Sequence, residues 1–357
     1  MYLLDDTLKF PKEDFKSMVY QPFALKPSFS MKRVKQWYDY WDGKVYVSFS
    51  GGLDSTVLAY IVCEAYKFYE IHDKVVLVFS DTGIEYPEIR IFTKKYNEWL
   101  QQKFPNLEIE LVILLPDKGH TFRDVCKNKG FPITTKENAS KIYKLRNGNL
   151  SERYRNYLMN GDERGKFGVL PKKWHFLLDK ENIKFNISEK CCDEMKKRPF
   201  KKYHKETGRY PFIGITQDES FMRENQYNHT GCNVYDGNRP KSQPLGFWTK
   251  QDILMYVLDK EIPICSVYGK IKQYDDGKYY TTKEQRTGCV CCGFGCHLEY
   301  EPNRIQRLQI THPSMYKAAM SCTNNDITYQ EALEKCGICT QYRSQMTIYE
   351  YQKINLN

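Results

Sequence analysis

The clearest pattern of apolar and polar positions lies near residue 50. Residues Val45–Phe49 form a short β-favouring apolar run, which ends in a Ser/Gly turn. After the turn, apolar residues recur at helical spacing, as typical of a buried helix: Val57, Leu58, Ile61, Val62, Ala65 and Tyr66. The pattern predicts a strand, a tight glycine loop and a helix, in that order.

Further apolar runs predict more strands of one sheet. Residues 75–80 are a continuous apolar run, as expected of a strand buried on both faces of a parallel sheet. Residues 108–115 and 211–216 predict two more strands, and helix-like segments separate the strands. The sequence therefore predicts an α/β fold with a Rossmann-like, doubly wound and mostly parallel sheet. Residues 121–184 lack a clear period and predict loops and short helices.

The loop has the composition of an anion site. Backbone N–H groups and the positive end of a helix dipole would meet there, and three hydroxyls would add donors: Ser48, Ser50 and Ser55. Gly51 and Gly52 are adjacent and no lysine follows, which excludes the Walker phosphate loop. Asp54 is a candidate contact for Mg²⁺ or water, and equally a first-turn carboxylate that faces the dipole.

Two polar residues follow the second predicted strand. Asp81 and Thr82 come directly after residues 75–80. In open α/β sheets, ligands bind beyond the carboxyl ends of the strands. We therefore expect Asp81 and Thr82 to face the same crevice as the loop and to contact the same ligand.

The helical segments at either end of this region suggest domain boundaries. Residues 30–41 have helical periodicity and end at Asp42-Gly43. Thr249 to Asp252 resembles a capping box that opens a helix, and Pro263 follows that helix. We expect an N-terminal helical segment at 1–43, a nucleotide-binding domain at 44–261 and a cysteine-rich region at 262–357.

Composition limits the class of protein. The chain has 357 residues, of which 41% are hydrophobic, as expected of a folded globular protein. The N-terminus lacks a basic segment ahead of an apolar core, and no run of about 18 apolar residues occurs. We therefore expect a cytoplasmic protein without a membrane partner. The net charge of +10 favours anionic partners, either a nucleotide or a nucleic acid.

The 13 cysteines are bunched, which favours a metal or cluster site over disulfides. Cys191 and Cys192 are adjacent, and Cys289 and Cys292 form a Cys-x-x-Cys further along. Four thiolates can hold a structural zinc or a 4Fe-4S cluster, and the adjacent pair favours the cluster. Buried inert thiols are the alternative. Three neighbours are candidate replacements for any of the four: Cys291, Cys296 and His297.

These motifs together resemble the phosphoadenosine phosphosulfate (PAPS) reductase family, whose phosphate loop is called the PP-loop. The similarity rests on Ser-Gly-Gly-x-Asp-Ser at 50–55, Asp-Thr-Gly-x-Glu-x-Pro-Glu at 81–88, Glu-Ser-x-x-Arg at 219–223 and Arg-Thr-Gly-Cys at 286–289. The resemblance implies an adenine-nucleotide α-hydrolase-like fold that binds ATP or PAPS, with Mg²⁺ as a further candidate ion. It also implies a 4Fe-4S cluster held by a Cys-Cys pair and a downstream Cys-x-x-Cys, which correspond here to 191/192 and 289/292.

The sequence departs from the family at two positions. Members of this branch usually carry lysine where this chain has Leu53, so a cationic phosphate contact is missing. Sulfonucleotide reductases end in Glu-Cys-Gly-Leu/Ile-His, whose cysteine attacks sulfur. The nearest match here is Glu-Lys-Cys-Gly-Ile-Cys at 334–339, which makes Cys336 the candidate nucleophile. A buried helix-end thiol is the alternative for Cys336.

Two classes of function follow. The first is an enzyme of sulfur chemistry, either a PAPS reductase-like oxidoreductase or an ATP-dependent sulfurtransferase that modifies nucleic acid. Arg223 would stabilise developing charge, and an electron- or sulfur-donor protein would be a partner. The second is a non-catalytic nucleic-acid-binding protein, in which aromatic residues stack on bases: Tyr143, Tyr154, Tyr157 and Trp174.

Overall fold

The computed structural model describes residues 17–162, 168–217, 230–237 and 239–342. The chain divides into two compact units that are interleaved along the sequence. Unit 1 comprises Met1–Asp81, Glu85–Leu115 and Pro199–Gly288, and unit 2 comprises Thr82–Ile84, Pro116–Arg198 and Cys289–Asn357. The predicted domain boundaries at residues 43 and 261 stay predictions.

Among the strands of the described residues, the second and third along the chain are the longest, with six residues each. In chain order they are β1 (Val45–Ser48), β2 (Val75–Ser80), β3 (Ile109–Leu114), β4 (Ile133–Thr134), β5 (Tyr210–Ile213), β6 (Asn233–Val234), β7 (Lys241–Ser242), β8 (Ile271–Gln273), β9 (Tyr279–Thr281), β10 (Gly293–Phe294), β11 (Thr323–Asn324) and β12 (Ile327–Thr328).

The α-helices alternate with many of these strands along the chain. In chain order they are α1 (Lys26–Tyr40), α2 (Leu53–Phe68), α3 (Pro87–Lys103), α4 (Phe122–Lys129), α5 (Lys136–Asn147), α6 (Glu152–Asn160), α7 (Arg198–Thr207), α8 (Lys250–Asp259), α9 (Arg304–Thr311), α10 (Pro313–Met320) and α11 (Tyr329–Lys335). None of the helices in the described ranges is long and apolar enough to cross a membrane.

Unit 1 is built on a six-stranded sheet with the order β3-β2-β1-β5-β7-β6. Every neighbouring pair is parallel except β6 and β7, which run antiparallel. Val47 in β1 lies between Leu77 of β2 and Phe212 of β5. This architecture confirms the predicted α/β class with a mostly parallel sheet.

Burial explains why β1 and β2 are so apolar. All six residues of β2 are buried, as are the first three residues of β1. Helices cover both faces of a parallel sheet, so its central strands have no side exposed to water. The continuous apolar run at 75–80 is the sequence signature of that arrangement.

The N-terminal helix α1 is fixed to the start of α8 by buried polar contacts. The Lys26 ammonium lies 2.6 Å from an Asp252 carboxylate oxygen, and both side chains are almost fully buried. The same carboxylate caps α8, because it accepts the backbone N–H of Thr249 at 2.7 Å. The predicted capping box is therefore confirmed, and it also anchors α1 through Lys26.

Unit 2 has little sheet and relies on side chains that satisfy backbone groups. Its parallel pair joins β4 to β10, with Ile133 beside Gly293. The buried Arg146 guanidinium donates to the carbonyls of Phe185 and Ile183 at 2.7 and 2.8 Å. Segments that lack a ladder of their own thereby keep their carbonyl groups paired.

Candidate functional site

The predicted phosphate loop connects β1 to α2 in unit 1. Ser48 ends β1, and Gly51 has a φ of +70°, a left-handed conformation that glycine adopts without steric cost. Gly52 is the extended residue before α2, with φ −80° and ψ 160°. The chain therefore turns sharply from a buried strand into a helix N-terminus, as the sequence predicted.

Serine hydroxyls organise the inside of this loop. The Ser55 hydroxyl accepts the backbone N–H of Ser50 at 3.1 Å and lies 3.0 Å from the Ser50 hydroxyl oxygen. It also donates to the Gly52 carbonyl at 3.0 Å. The Ser50 hydroxyl in turn accepts the N–H of Gly52 at 3.3 Å. These bonds hold the loop in one conformation and keep both hydroxyls beside the helix N-terminus.

Two further hydroxyls that the sequence reasoning did not assign to this loop lie against it. The Tyr268 hydroxyl accepts the backbone N–H of Leu53 at 3.2 Å and lies 2.8 Å from the Thr287 hydroxyl. Burial raises the pKa of Tyr268 to about 12, although its hydrogen bonds with Thr287 and Leu53 oppose the rise. Thr287 belongs to the Arg-Thr-Gly-Cys motif quoted above, whereas Tyr268 carried no signal of its own.

Glycines permit close packing around the loop. A Cβ on Gly52 would lie 3.0 Å from the Thr287 hydroxyl oxygen and 3.2 Å from that of Ser50. A Cβ on Gly214, directly after β5, would lie 2.9 Å from the backbone of Asp54 and Ser55. The start of α2 is therefore packed against the end of β5, and the loop has room for its hydroxyls only because residue 52 lacks a side chain.

The acidic candidates lie at α2 and at the end of β2. Asp54 is in the first turn of α2 and is partly exposed. Asp81 follows β2, and the Arg90 guanidinium pairs with one of its carboxylate oxygens at 2.6 and 2.7 Å. Arg90 in α3 was missed by the sequence reasoning, because nothing local shows that α3 turns this arginine toward residue 81. Thr82 is buried and belongs to unit 2.

Unit 2 contains the second candidate site, a cavity lined by all four predicted cysteine ligands. Cys191 and Cys192 lie in the first turn of the helical segment after Ser188, whose hydroxyl accepts the N–H of Lys190 at 3.1 Å. Cys289 and Cys292 form a turn in which the N–H of Cys292 donates to the Cys289 carbonyl. The remaining walls of the cavity are Ile84, Phe122, Pro132, Met195 and Lys196.

The electrostatics of this cavity favour one thiolate. The Cys191 thiol donates to the sulfur of Cys192, which lowers the pKa of Cys192, and Lys136 and Lys196 lower it further against the effect of burial. Burial opposes the charge on Lys136, yet Cys192 raises the pKa of that lysine overall. The sequence reasoning missed Lys136, which lies 56 positions before Cys192 and reaches it only through the fold.

The types of residue in this cavity suit a thiolate-bound metal or cluster, whereas their positions do not yet enclose one. Four cysteines and Lys196 line the cavity, and Lys136 interacts with Cys192, a set of groups that suits a soft, anionic cofactor. Its volume of about 20 Å³ suits one water molecule or one ion. No group of three His, Cys, Asp or Glu residues in the described part of the chain is spaced to hold a metal. The cavity is therefore smaller than a cluster of four irons and four sulfides.

The alternative ligands do not line this cavity. Cys291 and Cys296 are buried, and burial raises the pKa of both thiols. The ring of His297 packs edge-on against Trp174, with centroids 5.0 Å apart. Cys336 ends α11 as a buried residue, and burial raises its pKa to about 12. Arg223 lies outside the described residues.

Comparisons with known proteins extend this description. The family model of the phosphoadenosine phosphosulfate reductase domain matches residues 44–294. A search of curated proteins found no match. Among solved structures, a phosphoadenylyl-sulfate (PAPS) reductase from Candida auris in a phosphate complex is similar at 13% identity and a TM-score of 0.36. That alignment covers 76% of this chain and 98% of that chain, and it is too distant to support an argument about the site.

The match to the family model includes the loop at 50–55, Asp81 and all four cysteines of the cavity. It spans well over half of the chain. The protein therefore belongs to the phosphoadenosine phosphosulfate reductase family of sulfur metabolism.

Proposed function

We propose that this protein is an oxidoreductase-type enzyme of sulfur metabolism that binds an adenine nucleotide, ATP or PAPS, at the loop of residues 48–55. The observation that carries the proposal is the arrangement of hydroxyl and backbone donors around the N-terminus of α2. Ser50, Ser55 and Thr287 supply the hydroxyls, and the start of the helix supplies N–H groups and a positive dipole end.

The same loop serves two reactions that differ in what leaves the nucleotide. In the first, a thiolate attacks the sulfur of bound PAPS, the sulfur–oxygen bond to the nucleotide breaks, and adenosine 3′,5′-bisphosphate leaves. A thiol of the electron donor then attacks the sulfonated cysteine sulfur, a disulfide forms, and sulfite leaves. In the second, ATP is cleaved at the α-phosphate, an acceptor oxygen is adenylated, and a sulfur nucleophile displaces AMP. In both, the loop donors stabilise negative charge on the phosphate, and Arg223 is the proposed cation for the developing charge.

We give the remaining polar residues binding roles. Asp54 would contact Mg²⁺ or a water bound to the phosphates, and Asp81 would face the nucleotide with Arg90 holding its carboxylate in place. Cys336 has no role in this proposal, because a nucleophile acts as a thiolate and the raised pKa of Cys336 keeps it protonated at neutral pH.

We further propose that Cys191, Cys192, Cys289 and Cys292 hold a 4Fe-4S cluster. Such a cluster would supply a redox-active or sulfur-carrying centre when bound. Lys136 and Lys196 would neutralise part of the negative charge of the thiolates, which is the role that their effect on Cys192 already indicates. An electron- or sulfur-donor protein of the cytoplasm is the partner that either reaction requires.

The deciding experiment measures binding and products together. Protein purified without oxygen is titrated with ATP and with PAPS by calorimetry, and each mixture is then assayed for pyrophosphate and for sulfite. Sulfite from PAPS in the presence of a dithiol reductant supports the reductase reaction. Pyrophosphate from ATP supports the sulfurtransferase reaction. Absence of binding to either nucleotide by folded protein would contradict the proposal.

A second candidate function is binding of single-stranded nucleic acid by unit 2. Tyr154 and Tyr157 on α6 are both partly exposed, and their rings stack 6.2 Å apart at an angle of 14°. The Lys144 ammonium lies 5.8 Å from the Tyr154 ring centre. Exposed aromatic rings beside cations are surfaces on which bases stack. Trp174 does not contribute, because it is buried.

This second candidate is tested by salt dependence. Affinity for a fluorescent oligonucleotide should fall steeply as the salt concentration rises. A Tyr154→Ala, Tyr157→Ala double variant should bind the oligonucleotide at least about tenfold more weakly, because it loses base stacking. Unchanged affinity in the double variant would remove the basis for this candidate and leave the nucleotide proposal untouched.

A further inference from the structure

A second pair of cysteines in unit 2 lies outside the lining of the four-cysteine cavity. Cys126 is near the end of α4, and Cys322 follows α10. The Cys126 thiol donates a hydrogen bond to the sulfur of Cys322. Asn324 holds the two segments together, because its amide nitrogen donates to the carbonyls of Cys126 and Lys127 at 2.9 Å each. The Asn324 hydrogen bonds therefore hold the segment of Cys322 against the end of α4, where the two sulfurs meet.

An arginine completes this group. Arg123 lies three residues before Cys126 in α4, so the two side chains share one helix face. The Arg123 guanidinium donates to the sulfur of Cys322. The hydrogen bond from Cys126, together with the charge of Arg123, lowers the pKa of Cys322 against the effect of burial. Burial raises the pKa of Cys126, so Cys322 loses its proton more readily than Cys126 does. In its protonated form the Cys322 thiol donates to the Ala318 carbonyl at 3.5 Å.

The arrangement limits which reagents can reach the sulfurs. Cys322 is 3% exposed and Cys126 is fully buried, whereas Arg123 is exposed. A bulky disulfide such as that of a carrier protein cannot reach Cys322 without local opening. A reagent the size of water needs a much smaller opening than a bulky disulfide does.

We propose that Cys126 and Cys322 are a peroxide-reactive dithiol that closes to an intramolecular disulfide. The Cys322 thiolate attacks one oxygen of hydrogen peroxide, the O–O bond breaks, and hydroxide leaves as Cys322 becomes a sulfenic acid. The Cys126 sulfur then attacks the Cys322 sulfur and breaks its S–O bond, and the second hydroxide leaves. The proton of Cys126 and one from solvent convert both hydroxides to water. The two thiols lose two electrons and the peroxide gains them.

The disulfide would act on the neighbouring cavity. Phe122, which lines the four-cysteine cavity, is in the first turn of α4, one turn from Cys126. Closing the Cys126–Cys322 bond joins α4 covalently to the segment before β11. The dithiol would therefore take up peroxide next to a site whose proposed thiolate ligands are sensitive to oxidation.

The test uses the full chain, purified without oxygen and treated with one equivalent of hydrogen peroxide. Remaining thiols are blocked with an alkylating reagent, and the protein is digested without reductant for mass spectrometry. We expect a cross-linked peptide pair that contains Cys126 and Cys322. Cys63 is the internal control, since it is equally buried and its pKa is raised by burial and by Glu64; it should be recovered alkylated.

Variants separate a reactive pair from two buried thiols. In Cys126→Ser, Cys322 should accumulate as a sulfenic acid that dimedone traps, and in Cys322→Ser neither product should form. Arg123→Gln should slow disulfide formation by about tenfold, while Arg123→Lys keeps most of the rate, because a nearby cation favours the thiolate. Because Arg123 is exposed, these two variants should fold even if a cysteine variant does not. Recovery of both cysteines as free thiols after other cysteines oxidise, or equal rates for the two Arg123 variants and the parent chain, would overturn the proposal.

Discussion

The hydroxyl of Tyr268 accepts the backbone N–H of Leu53 at 3.2 Å across 215 positions of sequence. Leu53 is the first residue of α2, so this bond satisfies one of the N–H groups that a helix start leaves unpaired. Because Tyr268 also contacts Thr287, it links the phosphate loop to the Arg-Thr-Gly-Cys motif. The loop is thus held by a residue that no motif identified.

This contact predicts the effect of Tyr268→Phe. The ring would keep its packing, but the buried N–H of Leu53 and the Thr287 hydroxyl would lose a partner. We expect the free energy of unfolding to fall by about 1–2 kcal/mol in urea titrations followed by circular dichroism. Tyr20→Phe, at a strongly exposed tyrosine, is the matched control and should change stability very little. Equal stability of both variants would show that the Tyr268 hydroxyl is not a structural acceptor.

A second prediction concerns Gly52. Gly52→Val places a side chain among the hydroxyls of Thr287, Ser50 and Tyr268, while its backbone conformation remains open to any residue. We expect nucleotide affinity to fall at least about tenfold, a loss of ~1.4 kcal/mol, because the concavity is filled. Calorimetry with ATP and PAPS measures this, and circular dichroism confirms that the variant is folded. Unchanged affinity in folded Gly52→Val would place the nucleotide elsewhere.

A third prediction tests the four-cysteine cavity. Anaerobically purified protein should contain about four irons and four sulfides per chain. Cys192→Ser and Cys289→Ser should each lose most of the iron, because a serine oxygen is a poor replacement for a thiolate. Cys339→Ser, at an exposed cysteine, is the control and should keep the parent content. Stoichiometric zinc without iron would instead support a structural zinc site.

A fourth prediction follows from His297. Burial lowers the pKa of His297, with a smaller effect of Lys173, and its buried Nδ1 has no hydrogen-bond partner among the residues that the structure describes. The unfolded chain therefore binds a proton more readily than the folded chain. Stability from this group is present above the unfolded pKa, about 6.5, and is lost as the pH falls toward the folded pKa.

The measurement compares urea titrations at several pH values between about 7 and 5. His297→Gln should show a shallower loss of stability with acid than the parent chain. His72→Gln, at an exposed histidine, should follow the parent. A parent-like slope in His297→Gln would mean that other groups cause the acid sensitivity.

Much of unit 1 was predictable from sequence because its determinants are local. The apolar run at 75–80 specifies a strand that is covered on both faces. The Ser-Gly-Gly turn at 50–52 specifies how β1 leads into the helix that begins at residue 53. The capping box at Thr249 uses residues three positions apart. The spacing of cysteines likewise identified the two pairs that line the cavity of unit 2.

The partners of these residues were decided only by the tertiary structure. Four contacts join residues that are distant in sequence or that a helix brings together. They are Tyr268 with Leu53, Arg90 with Asp81, Lys136 with Cys192 and Arg123 with Cys322. A hydrophobic period reports which face of an element is buried, but not which element covers that face. Tertiary packing determines which element covers each face. It places a hydroxyl beside the loop and a cation beside a thiol, and the local sequence of the loop or thiol does not indicate these partners.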